Sequence, residues 1–186
     1  MNIRNLIAIL SCSLILISCA TVQLEKNEKH GYDFNNIKSL TILPFLEVRI
    51  DSIIPNNAGQ RHNYIIADEL AMALLGSGIK IVDRNIINRI LSEQKLTLLG
   101  LMKEQDYVKI GKLTNADAIL YGVINTENAY FRRQATISVK IIDVRTGETV
   151  FTVLTKSGDS WGQAERLVNP MAKEIASTLR DRFSLR

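Results

Sequence analysis

Few residues in this 186-residue chain have the type and spacing that chemistry requires. The two histidines, His30 and His62, fall in polar stretches with no H-x-x-x-H and no paired cysteines. A metal site needs several converging N, S or O ligands, so none is expected here. Gly111-Lys112 echoes the end of a phosphate loop, but the glycine such a loop needs five positions earlier is Asp106. Asp117 and Asp143 flank apolar β-prone runs. Carboxylates in such places serve as caps and turn acceptors without any catalytic role. The expectation is a non-enzymatic protein with no catalytic residue, no metal, no cofactor and no evident small-molecule substrate.

The remaining reactive side chains are Cys12 and Cys19. Residues 6–18 (LIAILSCSLILIS) are apolar except for three serines and follow the lone positive charge of Arg4. A charged start and a short apolar run are the layout of an export signal. A membrane-spanning helix takes ~20 apolar residues, and this run has 13. Leu16-Ile17-Ser18-Cys19 resembles the lipobox of bacterial lipoproteins. That resemblance implies cleavage before Cys19, a diacylglycerol on its thiol and a third acyl chain on the new amine. Two or three chains hold a protein to a membrane firmly, whereas one binds marginally. Cys12 also follows Ile-Leu-Ser, but cleavage there leaves too short an apolar run. An aspartate after the cysteine marks inner-membrane retention in that family. Ala20 points instead to the outer membrane, periplasmic face.

Cleavage at Cys19 leaves residues 19–186, with Lys+Arg 22 against Asp+Glu 19 once Arg4 is gone. This is one domain's worth of chain with a mild positive charge, and an exported protein of this kind meets no nucleic acid. Cys12 leaves with the signal, so one mature chain can form no disulfide. Residues 20–36, polar and carrying EKNEKH, read as a tether, with the domain beginning at residue 37.

The elements that would build the domain follow in order. Residues 39–45 (SLTILPF) predict a strand, and 47–59 a long loop with Pro55, Asn56, Asn57 and Gly59. Ile65, Ile66, Leu70, Ala71, Leu74 and Leu75 predict one buried helix face, ended by Gly76-Ser77-Gly78. A strand over 79–82 leads to Asp83, which can cap a helix burying Ile86, Ile87, Ile90 and Leu91. A helix over 106–114 buries Tyr107, Ile110 and Leu113, and 118–123 is a third strand. Residues 136–144 and 149–155 predict a hairpin whose turn, 145–148, uses Gly147. The final helix either starts at Asn169-Pro170 or runs kinked from Ala164. The order β-α-β-α-α-β-β-β-α predicts an α/β fold: a mixed sheet, parallel early and antiparallel late, with helices on its faces.

Four segments together carry a further resemblance: TILPF, GIKIVDRNIINRILSEQ, KIGKLTNADAILYG and VKIIDVRTGETV. In this order they resemble the CsgG family, outer-membrane lipoproteins of curli secretion and their relatives, over about residues 38–156. The resemblance implies a CsgG/TolB-N-like periplasmic domain. It departs from the family's pore-forming members, because 125–133 and 156–163 are too short to supply membrane hairpins. Gly111 and Gly122 read as close-approach positions, and Arg84 and Glu93 as a pair across a helix end.

Binding, not catalysis, is therefore the expected work. Ile50, Ile53 and Ile54 would form an aliphatic contact in the long loop. Tyr130, Phe131, Arg132 and Arg133 combine residue types enriched at interfaces. Trp161 is expected to pack under the last helix. The function implied is secretion or assembly of surface and envelope components by protein–protein contact, with an envelope partner or further copies of the chain. A lipoprotein activator of peptidoglycan synthesis is the alternative, disfavoured by the short tether.

Overall fold

The computed structural model describes residues 22–49, 60–93, 103–129, 132–159 and 165–184. Seven strands and four helices run in the order β1 (Gln23–Glu28), β2 (Ser39–Ile42), β3 (Leu46–Arg49), α1 (Gln60–Leu74), β4 (Lys80–Ile81), α2 (Arg84–Glu93), α3 (Glu104–Leu113), β5 (Ala118–Ala129), β6 (Arg132–Asp143), β7 (Thr149–Asp159) and α4 (Glu165–Ser184). One sheet holds them all, ordered β1-β7-β6-β5-β2-β4, with β3 also on β5. Pairs involving β2, β3 and β4 are parallel; β5–β6, β6–β7 and β1–β7 are antiparallel. The expected mixed α/β sheet, parallel early and antiparallel late, is the observed one.

Alternation along the strands sends one set of side chains to each face. Leu40, Leu120, Ile137, Val139, Ile141 and Val153 meet Ile66 and Leu70 of α1 and Met171, Ile175 and Leu179 of α4 in the larger core. On the opposite face Leu43, Ile119 and Val144 pack with Ile87 and Leu91 of α2 and Ile110 of α3. A register shift between Ile141 and Ile142 on the β6–β7 ladder is a bulge. The extra residue is Val150 of β7, and it lets Val150 and Phe151 both join the larger core.

Local signals behave as their chemistry demands. Asp83 Oδ1 accepts a hydrogen bond from Asn85 N–H (2.7 Å) at the start of α2. Gly147 has φ 75° in the β6–β7 turn. Gly111 and Gly122 sit where a Cβ would lie 2.2 Å from Val144 Cγ2 and from Phe45 Cε1 respectively.

Four expectations are corrected. Residues 23–28, read as tether, form β1 on the edge of β7, and Phe34 and Ile37 behind it are core residues. Phe34 meets Phe151 (5.9 Å) and Phe183 (6.0 Å) edge-on, and Arg182 lies over its ring while pairing with Glu28 (2.8 Å). Part of the expected 47–59 loop is strand β3, because chain leaving Pro44 rejoins the β5 ladder at Leu46↔Val123. Ile65 and Leu75 face outward, as do Ile86 and Leu113, since the buried arc of α1 is centred on Ile66, Leu70 and Leu74. Arg84 pairs with Asp68 of α1, and Glu93 pairs with Arg89 (3.9 Å) one turn back. For the last helix, the longer alternative is the observed one, with Pro170 inside it.

Gly122 gives a direct test of how tightly the sheet is packed. Gly122→Ala should cost about 1–3 kcal/mol by urea unfolding, because overpacking must displace a buried ring. In a Phe45→Leu background the same change should cost clearly less. Equal costs in both backgrounds would mean Phe45 is not the obstacle.

Candidate functional site

Three places carry the side chains that could recognise something. The first is the end of the sheet where β2 and β5 begin and β6 finishes. Asp117 Oδ2 accepts from Lys38 N–H (2.9 Å), Ser39 N–H (2.8 Å) and Ser39 Oγ (2.9 Å), tying the starts of β5 and β2 together. Asp143 is buried; its Oδ1 accepts from Arg145 N–H (2.8 Å) and Thr146 N–H (2.9 Å), and its Oδ2 from Tyr32 O–H (2.7 Å). Burial pushes the Asp143 carboxyl up, but the Tyr32 hydrogen bond, the two backbone N–H groups and the Arg145 charge outweigh it and hold it below the usual carboxylate range. Burial first, then the Asp143 hydrogen bond, pushes Tyr32 far above its ordinary value. At the turn, Lys29 pairs with Glu148 and lowers its carboxyl.

An open hollow of about 520 Å³ lies here, lined by Tyr32, Lys112, Asp117, Asp143 and Arg145. A second of about 510 Å³ continues past Lys112 and Arg145 to Lys109 and Thr146. Both carboxylates are occupied in capping and turn bonds, as their sequence positions suggested. What remains is a mixed-charge surface suited to binding rather than proton transfer. Among the described residues, no group of three His, Cys, Asp or Glu is placed to hold a metal.

The second place is the outer face of α1. Ile65 (44% exposed), Met72 (70%) and Leu75 (70%) occupy one arc, spaced seven and three residues apart. Beside them Arg84 lies over the Tyr64 ring (5.1 Å), donates to Asp68 Oδ2 (2.7 Å) and to Tyr64 O (3.2 Å). That brace fixes α2 against the border of the apolar arc. Sequence reasoning assigned Ile65 and Leu75 to the core. A stricter helical count, 65–72–75 against 66–70–74, separates the two faces.

The third place is the end of the β5–β6 hairpin. The ladder runs without a break from Ala118↔Asp143 to Ala129↔Arg132, which leaves only residues 130 and 131 between the strands. Residues 125–129 and 132–133, expected as a connection, are strand. Arg133 is half-buried, opposite Asn128 on one side and Asp159 on the other. Cys19, Ile50, Ile53, Ile54, Tyr130, Phe131 and Trp161 lie outside the described residues.

One pattern escaped the sequence reading. Gly158-Asp159-Ser160-Trp161-Gly162 fits Gly-x-Ser-x-Gly. In hydrolases that motif follows a strand of a parallel sheet and opens a helix directly. Here its first two residues are the end of β7, which is antiparallel to both its neighbours, and α4 starts only at Glu165.

A mixed sheet carrying helices on both faces, with an edge strand supplied by the N-terminal segment, is the class these elements define. The family model for the curli production assembly/transport component CsgG matches residues 54–130 of the chain. Two residues join β5 to β6 and five join β7 to α4, fewer than a pair of membrane-spanning strands requires. Among solved structures, lipoprotein GNA1162 from Neisseria meningitidis is 12% identical, covers 77% of this chain and 98% of its own, and has a TM-score of 0.50. At that identity the likeness is one of fold. The PelC dodecamer from Paraburkholderia phytofirmans is 11% identical, with 86% and 98% covered and a TM-score of 0.47. The LpoB C-terminal domain from Escherichia coli is 18% identical, with 71% and 90% covered and a TM-score of 0.46. No curated protein matches the chain in sequence. No helix among the described residues is long and apolar enough to cross a membrane.

The Tyr32–Asp143 bond has a pH signature. Asp143 is lowered in the fold, so its contribution is complete above about pH 4 and is lost as pH falls through its folded value. Tyr32 is raised, so its contribution is complete below about pH 10 and is lost as pH climbs beyond. Tyr32→Phe should cost about 1–3 kcal/mol at neutral pH, reduce the alkaline loss to the part that burial of Tyr107 contributes, and move the Asp143 titration upward. Urea unfolding against pH and carboxyl NMR read all three. An unmoved Asp143 titration would rule out the bond.

Proposed function

We propose that the chain is a non-enzymatic lipoprotein, held by acylated Cys19 at the periplasmic face of the outer membrane, that acts by protein–protein contact in the secretion or assembly of surface or envelope components. The observation that carries this reading is the match of residues 54–130 to a curli assembly and transport family. GNA1162, whose fold this chain shares, is itself described as a lipoprotein. The outer face of α1 supplies the contact surface, since Ile65, Met72 and Leu75 are large aliphatics standing in solvent. Side chains of this kind, rimmed by polar groups, suit a protein interface.

Activation of peptidoglycan synthesis is the weaker reading. Gln23 is already in the sheet, so only residues 20–22 separate it from Cys19. Three residues span about 11 Å at most, far less than a wall-crossing tether requires.

Cys19→Ser should move the protein from the membrane fraction to the soluble periplasm. Met72→Glu/Leu75→Glu should leave the unfolding midpoint within about 0.5 kcal/mol of wild type, as exposed substitutions do. The same variant should abolish cross-linking from photo-reactive residues on α1 to an envelope protein or a second copy. Surface assembly in the cell should fall with it. Ser160→Ala should change neither. Retained assembly in the α1 variant would remove this surface from the mechanism, and lost assembly in Ser160→Ala would overturn the non-enzymatic reading.

A further inference from the structure

β1 ends the sheet on its side, and among the described residues no strand pairs with its outer edge. All of its residues but Leu24 are exposed. Lys29 N–H donates to Val150 O (2.9 Å), and in the same register Asn27, Glu25 and Gln23 stand opposite Thr152, Leu154 and Lys156. Backbone groups alternate sides along an antiparallel ladder. The odd-numbered residues therefore bond to β7, while Leu24, Lys26 and Glu28 turn their N–H and C=O groups outward. Such an edge is a template for another strand unless a proline, a bulge, a cover or a run of charge blunts it. β1 has no proline and no shift in its register, and its charges are of both signs.

Side chains alternate as well. Leu24 packs against the larger core and Glu28 pairs with Arg182 of α4 (2.8 Å), so Lys26 shares that face. Glu25 and Asn27 share the other face with Lys29, which pairs with Glu148. Among the described residues, Glu25 and Lys26 have no ion-pair partner.

The order of these charges selects one occupant and one register. Two copies of β1 meeting antiparallel about a two-fold axis keep their sheet faces in common only if each residue opposes one of its own parity. The ladder is then centred on a single residue. Centring on Glu25, Lys26 or Glu28 sets that charge directly against its own copy, which is destabilising. Centring on Asn27 sets amide against amide, Lys26 against Glu28 twice and Glu25 against Lys29 twice. In that register the outward backbone groups of Lys26 meet those of Glu28 in both directions.

We propose that β1 is a self-complementary edge at which two copies of this chain pair antiparallel, centred on Asn27, and join their sheets into one. The two Gln23 residues then lie about 26 Å apart along the ladder, each opposite Gly31 of the other copy. The contact uses neither the outer face of α1 nor Cys19, so it stands or falls separately from the function proposed above.

A cysteine scan reads the register directly. The full-length chain, with Cys12→Ser and Cys19→Ser to remove its own thiols, is purified in mild detergent with a single cysteine at position 25, 26, 27 or 28. Each variant is oxidised and run on a non-reducing gel. Position 27 opposes itself with its Cα atoms about 4.5 Å apart, inside the range a disulfide spans, whereas cysteines at 26 or 28 are offset by two residues and lie beyond it. Asn27→Cys should give at least about fivefold more dimer than any of the other three. Adding Lys26→Glu sets like charges opposite at two places and should cut the Asn27→Cys dimer severalfold. An unchanged urea midpoint for Lys26→Glu serves as the folding control, since Lys26 is exposed. Dimer that is absent at 27, strongest at another position, or indifferent to Lys26→Glu overturns the proposal.

Discussion

The fold depends on the two ladders of β5. It is the strand that accepts β2 and β3 in parallel on one side and β6 in antiparallel on the other. Parallel pairing requires a crossover, and helices supply it on both faces, whereas antiparallel pairing needs only a turn. The chain therefore winds early and folds back late around a single strand. Gly122 sits in the middle of it without a side chain, and the Phe45 ring occupies the space a Cβ would need. Asp117 at its start holds the backbone of Lys38 and Ser39, so the parallel neighbour begins in register.

Because every strand but β4 touches β5 directly or through β6 and β7, the sheet has two distinct ends. One is closed by carboxylates hydrogen-bonded to turns and opens into a mixed-charge hollow. The other is the overhang of the β5–β6 hairpin, four residues past the row where the N-terminal strand begins. This asymmetry follows from β5 and β6 outrunning their neighbours at one end and from Asp117 and Asp143 holding the backbone at the other.

Much of this was legible from local chemistry. Asp83 as a cap, Gly147 in a turn, Asp143 as a turn acceptor and Gly122 as a close-approach position are each decided by a residue's own geometry within a few neighbours. The candidate site was legible in part. Arg132 and Arg133 were chosen for their type, and their place at a hairpin end is a tertiary fact. The apolar arc of α1 was hidden because Ile65 and Leu75 are aliphatic, and hydrophobicity alone does not say which aliphatics find a partner.

The sequence by itself determined the class of the fold, the sites of its turns and the presence of a lipobox-like Cys19, since these rest on periodicity and short-range patterns. Only the tertiary structure decided that QLEKNE is a strand. Its alternation is too polar to announce itself, and its stability comes from hydrogen bonds to β7, from Phe34 and Ile37 buried behind it, and from Glu28 on Arg182. An edge strand draws its energy from a neighbour more than a hundred residues away, and no local pattern records that neighbour.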